Sequence, residues 1–272
     1  MEFARLHDRD RIEAYLRLHP DTHVYSLGDL EDEFWPHATW YGALDGSDIR
    51  AICLVFKLYD PPIVIAVSEP DNEAMPHLLG SIAGQLPDSA MVHLGPEALG
   101  VLDGAFEVST LVPHWKMALK EPSRLEAVDT SQVRQLNNDD VPRLEALFDA
   151  VYSGSEVGNI FYPSMLDIGP YFGVEENGVI VSTAGVHVHS THYGVAAIAN
   201  VATHPDARGR GLATAVVARL ASELSIGCDH IGLNVAQANA PAISAYRNAG
   251  FEIVAEFHEG TITRRPQSRS ES

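Results

Sequence analysis

The chain has 272 residues, 46% of them apolar and 20% charged, and its 18 Lys and Arg against 37 Asp and Glu leave a net charge of −19. This composition excludes an intrinsically disordered chain. The shortage of phosphate-neutralising cations argues against nucleic-acid binding, in the part up to residue 125 (9 basic, 20 acidic) as in the remainder (9 basic, 17 acidic).

In chain order, residues 9–20 carry Ile12, Tyr15, Leu16 and Leu18 at helical spacing. An acidic, aromatic stretch from Gly28 to Trp40 follows. TWYGAL, IRAICLVF and PIVIAV then read as strands separated by the turn sequences LDGSD and YDPP. Glu73 to Leu86 suits a helix, MVHL a short strand, Glu97 to Phe106 a second short helix, and VPHWKMAL a strand.

The second part repeats that order. SQVRQL is a predicted strand. Asn138 to Val151 is a predicted helix, with Asn138 or Asp139 as cap, Pro142 in its first turn, and an apolar stripe of Val141, Leu144, Leu147, Phe148 and Val151. After the loop SGSEVGNIFYPS comes a hairpin turning at Glu176-Asn177-Gly178, and then the strand GVAAIANVAT. Leu212 to Leu224 is amphipathic, with Leu212, Val216, Leu220 and Leu224 on one face. HIGLNVA is a strand, Ala240 to Asn248 a helix, and FEIVAEF the last strand.

The shared order implies an α/β fold with a mixed sheet, duplicated internally, with a boundary near Pro122–Asp129. Cys53 and Cys228 stand far apart beside apolar stretches and suit small buried hydrophobes in a reducing setting. The N-terminus has no apolar signal-peptide core, and no run approaches the ~18 apolar residues of a membrane helix. The expectation is a cytoplasmic protein without a membrane partner. The 13 histidines are scattered, with no HExxH and no Cys/His cluster, so no metal is expected.

The most informative segment is THPDARGRGLATAVVARL. Pro205 ends a strand, and RGRG opens a helix whose first amides have no backbone acceptor and whose dipole places partial positive charge there. Gly209 and Gly211 let an anion approach the main chain, and Arg208 and Arg210 add charge, so the segment can seat a pyrophosphate. The same four residues could equally be a glycine-rich helix start with two solvated arginines. A P-loop would need Gly-Lys-Ser/Thr. A dinucleotide fingerprint would need a third glycine where Thr214 stands. Neither condition is met.

The run from Gly194 to Phe251 resembles the GCN5-related N-acetyltransferases (the GNAT superfamily). Arg208-Gly209-Arg210-Gly211-Leu212-Ala213 matches their Arg/Gln-x-x-Gly-x-Gly/Ala motif. Asn239 followed by a helix carrying Tyr246 and ending in Gly250-Phe251 matches their later signature. The resemblance covers residues 126–265 well and 1–125 only as element order, because SEPDNEAMPHLL stands where a phosphate loop would be. The tandem layout also resembles the mycothiol synthase and glycine N-acyltransferase groups. The resemblance implies two tandem GNAT-like domains: a degenerate, non-catalytic one over 1–125 and a catalytic one over 126–265, followed by a frayed tail at 266–272.

It further implies acetyl-CoA as co-substrate and a small-molecule or peptide amine as acceptor. The pantetheine arm would pair with Val201, Ala202 and Thr203. The pyrophosphate would rest on amides from Gly209 through Gly211, Leu212 and Ala213 to Thr214. Asn239 would hold the arm and Tyr246 would face the sulfur. Attack by an amine needs a proton acceptor, since a primary alkylamine has a pKa of about 10.4. A departing thiolate needs a donor, and Tyr246 is the candidate general acid, although on helical pattern alone it also reads as a core tyrosine beside Ala242 and Ala249. His187, on the strand beside the coenzyme strand and sharing a face with His189, is a candidate base or acceptor-site residue. Asn200 could orient a water. Glu156 and Tyr162 are acceptor-site candidates. A non-catalytic acyl-CoA-binding module is the alternative to an enzyme.

Overall fold

The computed structural model describes residues 1–69, 71–153 and 161–266. The chain divides into two compact units, Met1–Trp115 joined by the returning segment from Ala255, and Lys116–Val254.

The first unit contains strands β1 (Glu2–Leu6), β2 (Ala38–Asp45), β3 (Asp48–Phe56), β4 (Ile63–Ala66), β5 (Ser89–Leu94) and β6 (Phe106–Val108). Its helices are α1 (Arg9–Leu16), α2 (Val24–Gly28) and α3 (Ala74–Ile82). β7 (Val112–Leu119) and the long β13 (Phe251–Arg264) each contain one of the unit boundaries. The strand order is β1-β2-β3-β4-β5-β13, with β6 also pairing β13. All neighbours are antiparallel except β4 and β5. One face of β2–β5 packs against α3 through Tyr41, Cys53, Val55, Val64, Met75, Leu78, Leu79 and Val92, all buried.

The second unit contains β8 (Val133–Leu136), α4 (Val141–Tyr152), β9 (Tyr171–Glu176), β10 (Val179–Ser190), β11 (Val195–Thr203), α5 (Leu212–Leu224), β12 (His230–Ala236) and α6 (Ala240–Asn248). Its sheet runs β12-β11-β10-β9-β8, antiparallel except for β11 beside β12. The β9–β10 hairpin turns through Asn177 and Gly178, both at positive φ (51° and 81°), the geometry of a type I′ turn. Leu212, Val216, Leu220 and Leu224 of α5 are buried, as their spacing predicts. α4 packs Leu144, Leu147 and Phe148 against a cluster that includes Phe161, Tyr171, Ile180 and Ala202.

Several elements differ from the sequence reading. β1 is a strand where none was expected. α1 stops at Leu16 because the residue before Pro20 is disfavoured in helical geometry. The expected helix over Glu97–Phe106 is a 3₁₀ turn at Pro96–Ala98 followed by turns, with Gly100 at φ 75°, a conformation that breaks a helix. The cap of the helical segment leading into α4 is Asn137, one residue earlier than expected. Its side chain accepts from Asp139 N at 2.8 Å, while Asp140 accepts from Asn137 N at 3.0 Å. Asp140 is fully buried there and is held by Arg134 at 2.8 and 2.9 Å. Cys53 and Cys228 are both buried free thiols.

Candidate active site

The site begins where a ladder stops. β11 and β12 pair in parallel from Val195↔His230 to Ile198↔Leu233 and no further, although β11 continues to Thr203 and β12 to Ala236. On its other edge β11 stays paired with β10 as far as Thr203↔Ser182. From Ala199 onward the β12-facing main chain of β11 therefore loses its sheet partner. Backbone groups beside a core are rarely left so, and an inserted ligand can supply the bonds. The parallel pair of the first unit, β4 with β5, shows no such opening. It pairs from Ile63↔Met91 to Ala66↔Leu94, and the bonds Met91 N to Pro62 O and Gly95 N to Ala66 O, both 2.8 Å, extend it at each end.

A bulge lies at the mouth of this wedge. The pairs Thr183↔Ala202 and Gly185↔Ala199 leave Ala184 opposite both Asn200 and Val201. Asn200 takes a left-handed conformation, φ 51°, and is only 7% exposed. Its Nδ2 donates to the Tyr171 hydroxyl at 2.8 Å and lies 3.1 Å from Met165 Sδ.

Just past the end of β11, a 3₁₀ turn at Pro205–Ala207 leads into RGRG. Gly209 and Gly211 both have positive φ, 76° and 77°, and a Cβ on either would meet nothing within 4 Å. The glycines thus serve the turn and leave open space above it. Gly211 is the N-cap of α5 and offers no side-chain acceptor, so the amides of Leu212, Ala213 and Thr214 have no intrahelical partner. Arg208 is exposed, with Nε 3.3 Å from Thr203 O. Arg210 is drawn aside: both its terminal nitrogens bond Glu176 of the β9–β10 turn, one at 3.1 Å, and that pairing holds the Glu176 carboxyl below its ordinary range. Of the two arginines, Arg208 is the one that pairs with no carboxylate among the described residues.

Across the wedge, Asn239 caps α6, accepting from Ala242 N at 3.3 Å. Tyr246 on the same helix is 6% exposed and packs edge-on against Phe251. Burial, and then the neighbouring Tyr152, push its phenol well above the ordinary tyrosine range, so it carries its proton at every working pH. Tyr152, the last residue of α4, brings a second phenol to this place, itself raised by burial. Burial likewise pushes Tyr171 up to about 12.

The remaining predicted residues fall in different places. Val201 and Thr203 are half-buried and Ala202 is buried, all along the unpaired stretch of β11. Thr203 Oγ1 is tied to Ser182 Oγ at 2.9 Å. His187 is half-buried and lies at a second irregularity, where Val186↔Ile198 and Val188↔Ala197 leave it as an additional residue in β10, so simple alternation with His189 breaks there. His189 lines a groove of about 510 Å³ with Leu136, Asp167, Glu223 and Ile226 at the far end of α5, roughly 18 Å along that helix from the RGRG turn. Tyr162 is 57% exposed. Glu156 lies outside the described residues. Tyr152 and Tyr171 escaped the sequence reading. Asn234, a polar residue inside the otherwise apolar HIGLNVA, carried a signal that went unused. Among the described residues, no group of three or more His, Cys, Asp or Glu is placed to hold a metal ion. No helix among them is long and apolar enough to cross a membrane.

The family model "Acetyltransferase (GNAT) family" matches residues 135–251. Solved structures with the same fold include a GNAT-family protein from Novosphingobium aromaticivorans, 19% identical, TM-score 0.60, over 91% of this chain and 100% of that one. A tandem GNAT protein from the clavulanic acid biosynthesis pathway is 13% identical, TM-score 0.58, over 98% and 99%. A GCN5-related N-acetyltransferase from Sphaerobacter thermophilus is 16% identical, TM-score 0.58, over 97% and 96%. These alignments extend through the first unit, so its likeness to the GNAT fold, read from element order alone, holds in three dimensions.

Proposed function

Because residues 135–251 form a domain of the GNAT acetyltransferase family, we propose that the chain is an acetyl-CoA-dependent N-acetyltransferase that moves the acetyl group to a primary amine by direct attack in a ternary complex. The observation that carries this reading is the end of the β11–β12 ladder at Ile198↔Leu233, on a strand that runs on through Thr203 into an uncapped helix start. Acetyl-CoA supplies an activated carbonyl. The residues present fit it: the unpaired main chain of Val201, Ala202 and Thr203 suits an amide-bearing arm, and the amides from Gly209 to Thr214, with Arg208, suit its pyrophosphate. Arg210 contributes to that seat by bracing it through Glu176. Asn239 flanks the arm.

Chemistry then asks three things of the chain. A backbone N–H at the Asn200–Val201 bulge stabilises the oxyanion. Tyr246 holds a proton at its phenolic oxygen and presents it to the departing sulfur. The amine loses one proton to a water that Asn200 orients, or to a nearby base, for which His187 is the candidate. Glu156 and Tyr162 are the residues proposed for the acceptor side by the family resemblance. The catalytic domain is residues 126–265. Residues 1–125 form a non-catalytic copy, a division supported by the closed β4–β5 ladder and by Glu69, Asp71 and Glu73 standing where a phosphate loop would be. Two free thiols suit a cytoplasmic setting.

Calorimetry with acetyl-CoA tests the coenzyme seat, and a thiol-release assay with an amine panel tests turnover. The burial of Tyr246 favours a second reading, a module that binds acyl-CoA without chemistry. Binding with no amine-dependent thiol release would establish that second reading.

A further inference from the structure

Among the described residues of the second unit, the buried side-chain polar atoms with no hydrogen-bond partner are Asn200 Oδ1, Asn234 Oδ1 and Gln237 Nε2. All three belong to the strands that bound the wedge, or to their ends, and all lie beyond the last β11–β12 pair. An orphaned buried polar atom costs about 1–3 kcal/mol, so three beyond the last pair of two neighbouring strands point to a ligand that completes them.

Strand register puts the two asparagines on one face. Paired residues of adjacent strands point to the same side, and alternate residues along a strand share a side. Leu233 pairs with Ile198, so Asn234 shares the side of Ala199. Ala199 pairs with Gly185, and a Cβ on Gly185 would lie 2.1 Å from the Tyr171 ring, so Tyr171 crosses that same side. Asn200 reaches Tyr171 from the bulge. The second partner fixes the rotation of the Asn200 amide: Met165 Sδ can only accept, so Nδ2 is the atom facing it and the Tyr171 hydroxyl, and Oδ1 is left without a partner.

Resting on the acetyltransferase reading above, we propose that the acceptor nitrogen is received by these two carboxamide carbonyls, Asn200 Oδ1 on β11 and Asn234 Oδ1 on β12, and that Tyr171 is the positioning residue that aims the first. Two acceptors match the two N–H bonds of a neutral primary amine, leaving its lone pair free for the thioester carbonyl. An amide oxygen, unlike a carboxylate, does not strongly favour the ammonium form, which cannot attack. As the N–C bond forms and the C–S bond breaks, one nitrogen proton passes to water and the sulfur takes a proton. The other N–H stays on its carbonyl. The site is thereby specific for primary amines. A secondary amine leaves one buried carbonyl unpaired, and alcohols offer a single donor.

The test uses the full-length protein, acetyl-CoA, and three amine pairs: 2-phenylethylamine, putrescine and glycinamide, each against its N-methyl counterpart. The parent protein is expected to favour the primary amine by about tenfold or more in kcat/KM. Asn234→Leu and Asn200→Leu should reduce that ratio to about threefold or less, with the calorimetric Kd for acetyl-CoA unchanged. Tyr171→Phe should weaken the preference in the same direction, and Asn234→Asp, which keeps an acceptor, should retain it. A purely structural role would lower all rates without moving the ratio. If Asn200→Leu fails to fold, Asn234→Leu, at a half-buried position, decides alone. Equal use of primary and N-methyl amines by the parent overturns the proposal, as does an unchanged ratio in the variants or the absence of turnover with every amine while acetyl-CoA binds. Absence of acetyl-CoA binding overturns the coenzyme reading itself.

Discussion

Gly185→Ala is a sensitive test of how the site is built. The backbone of Gly185 lies outside the left-handed region, so alanine meets no conformational barrier there, and an added Cβ would lower the entropy of the unfolded chain by about 0.5–1 kcal/mol in favour of folding. That Cβ would however stand 2.1 Å from Cε1 and Cζ and 2.4 Å from Cδ1 of Tyr171. The ring is 1% exposed, held at 2.8 Å by Asn200 and packed edge-on by Phe161, so it has no free direction of retreat. Overpacking of this kind costs about 1–3 kcal/mol, and losing the Asn200 bond about 0.5–1.5 more. The net expectation is a loss of about 2 kcal/mol, seen as a lower denaturant midpoint at constant m-value, and a Tm lowered by about 4–8 °C. In a Tyr171→Leu background the clash is gone, and the same alanine should cost almost nothing, a coupling of about 1–2 kcal/mol in a double-mutant cycle. Equal costs in the two backgrounds, or no cost in the parent, would refute the claim that Tyr171 lies against this strand to hold the bulge.

Gly211→Val places a β-branched side chain at φ 77° in open space. It should destabilise by about 1–2 kcal/mol and weaken acetyl-CoA binding by about tenfold or more, and an unchanged calorimetric Kd would remove the pyrophosphate from this turn. Tyr246→Phe should lower kcat by about 10² with little change in coenzyme affinity; a variant at parental rate ends the general-acid role. Arg134 holds the buried Asp140 carboxyl below its ordinary range. Its contribution is therefore complete above the unfolded carboxylate pKa of about 3.9 and disappears as pH falls through the depressed folded value. Asp140→Asn should cost about 2 kcal/mol at pH 7, since the arginines that hold it are partly exposed. The gap in urea midpoint should close toward pH 3, and a gap independent of pH would contradict this. The fragment 126–272 should fail to melt cooperatively. It carries Phe257 and Ile262, both fully buried, without the first unit in which Ile262 pairs, and it lacks Lys116–Leu119 of the second. A fragment melting cooperatively at the parental Tm would show that the unit boundaries do not govern folding.

Local patterns made much of the fold legible. β7, α5, β12 and α6 have the bounds that their periodicity and flanking residues predict, because each has a strong local pattern and a clear stop, such as the Gly250 that follows α6. Glu97–Phe106 misled because its apolar spacing suits a helix while Gly100 and Gly104 deny it continuity. β1 was hidden by charge: MEFARL alternates too weakly to announce a strand, and it pairs with a strand more than thirty residues away. The RGRG turn could be read because its chemistry is local. The wedge could not, because where two parallel strands stop pairing is a property of neither strand alone. The engagement of Arg210 by Glu176, thirty-four residues distant, was likewise beyond reach, as was the meeting of Asn200 with Tyr171.

The first unit borrows its last strand from beyond the second unit in sequence, since residues 258–263 complete the sheet edge offered by β5. A ribosome delivers those residues only after every part of the second unit has been made. The first unit must therefore wait, with Ala90 and Val92 on an open margin, until residues 258–263 have been made. A stop codon after residue 254 would thus injure the first unit rather than the second, and quality control should treat that unit as incomplete until its last strand emerges.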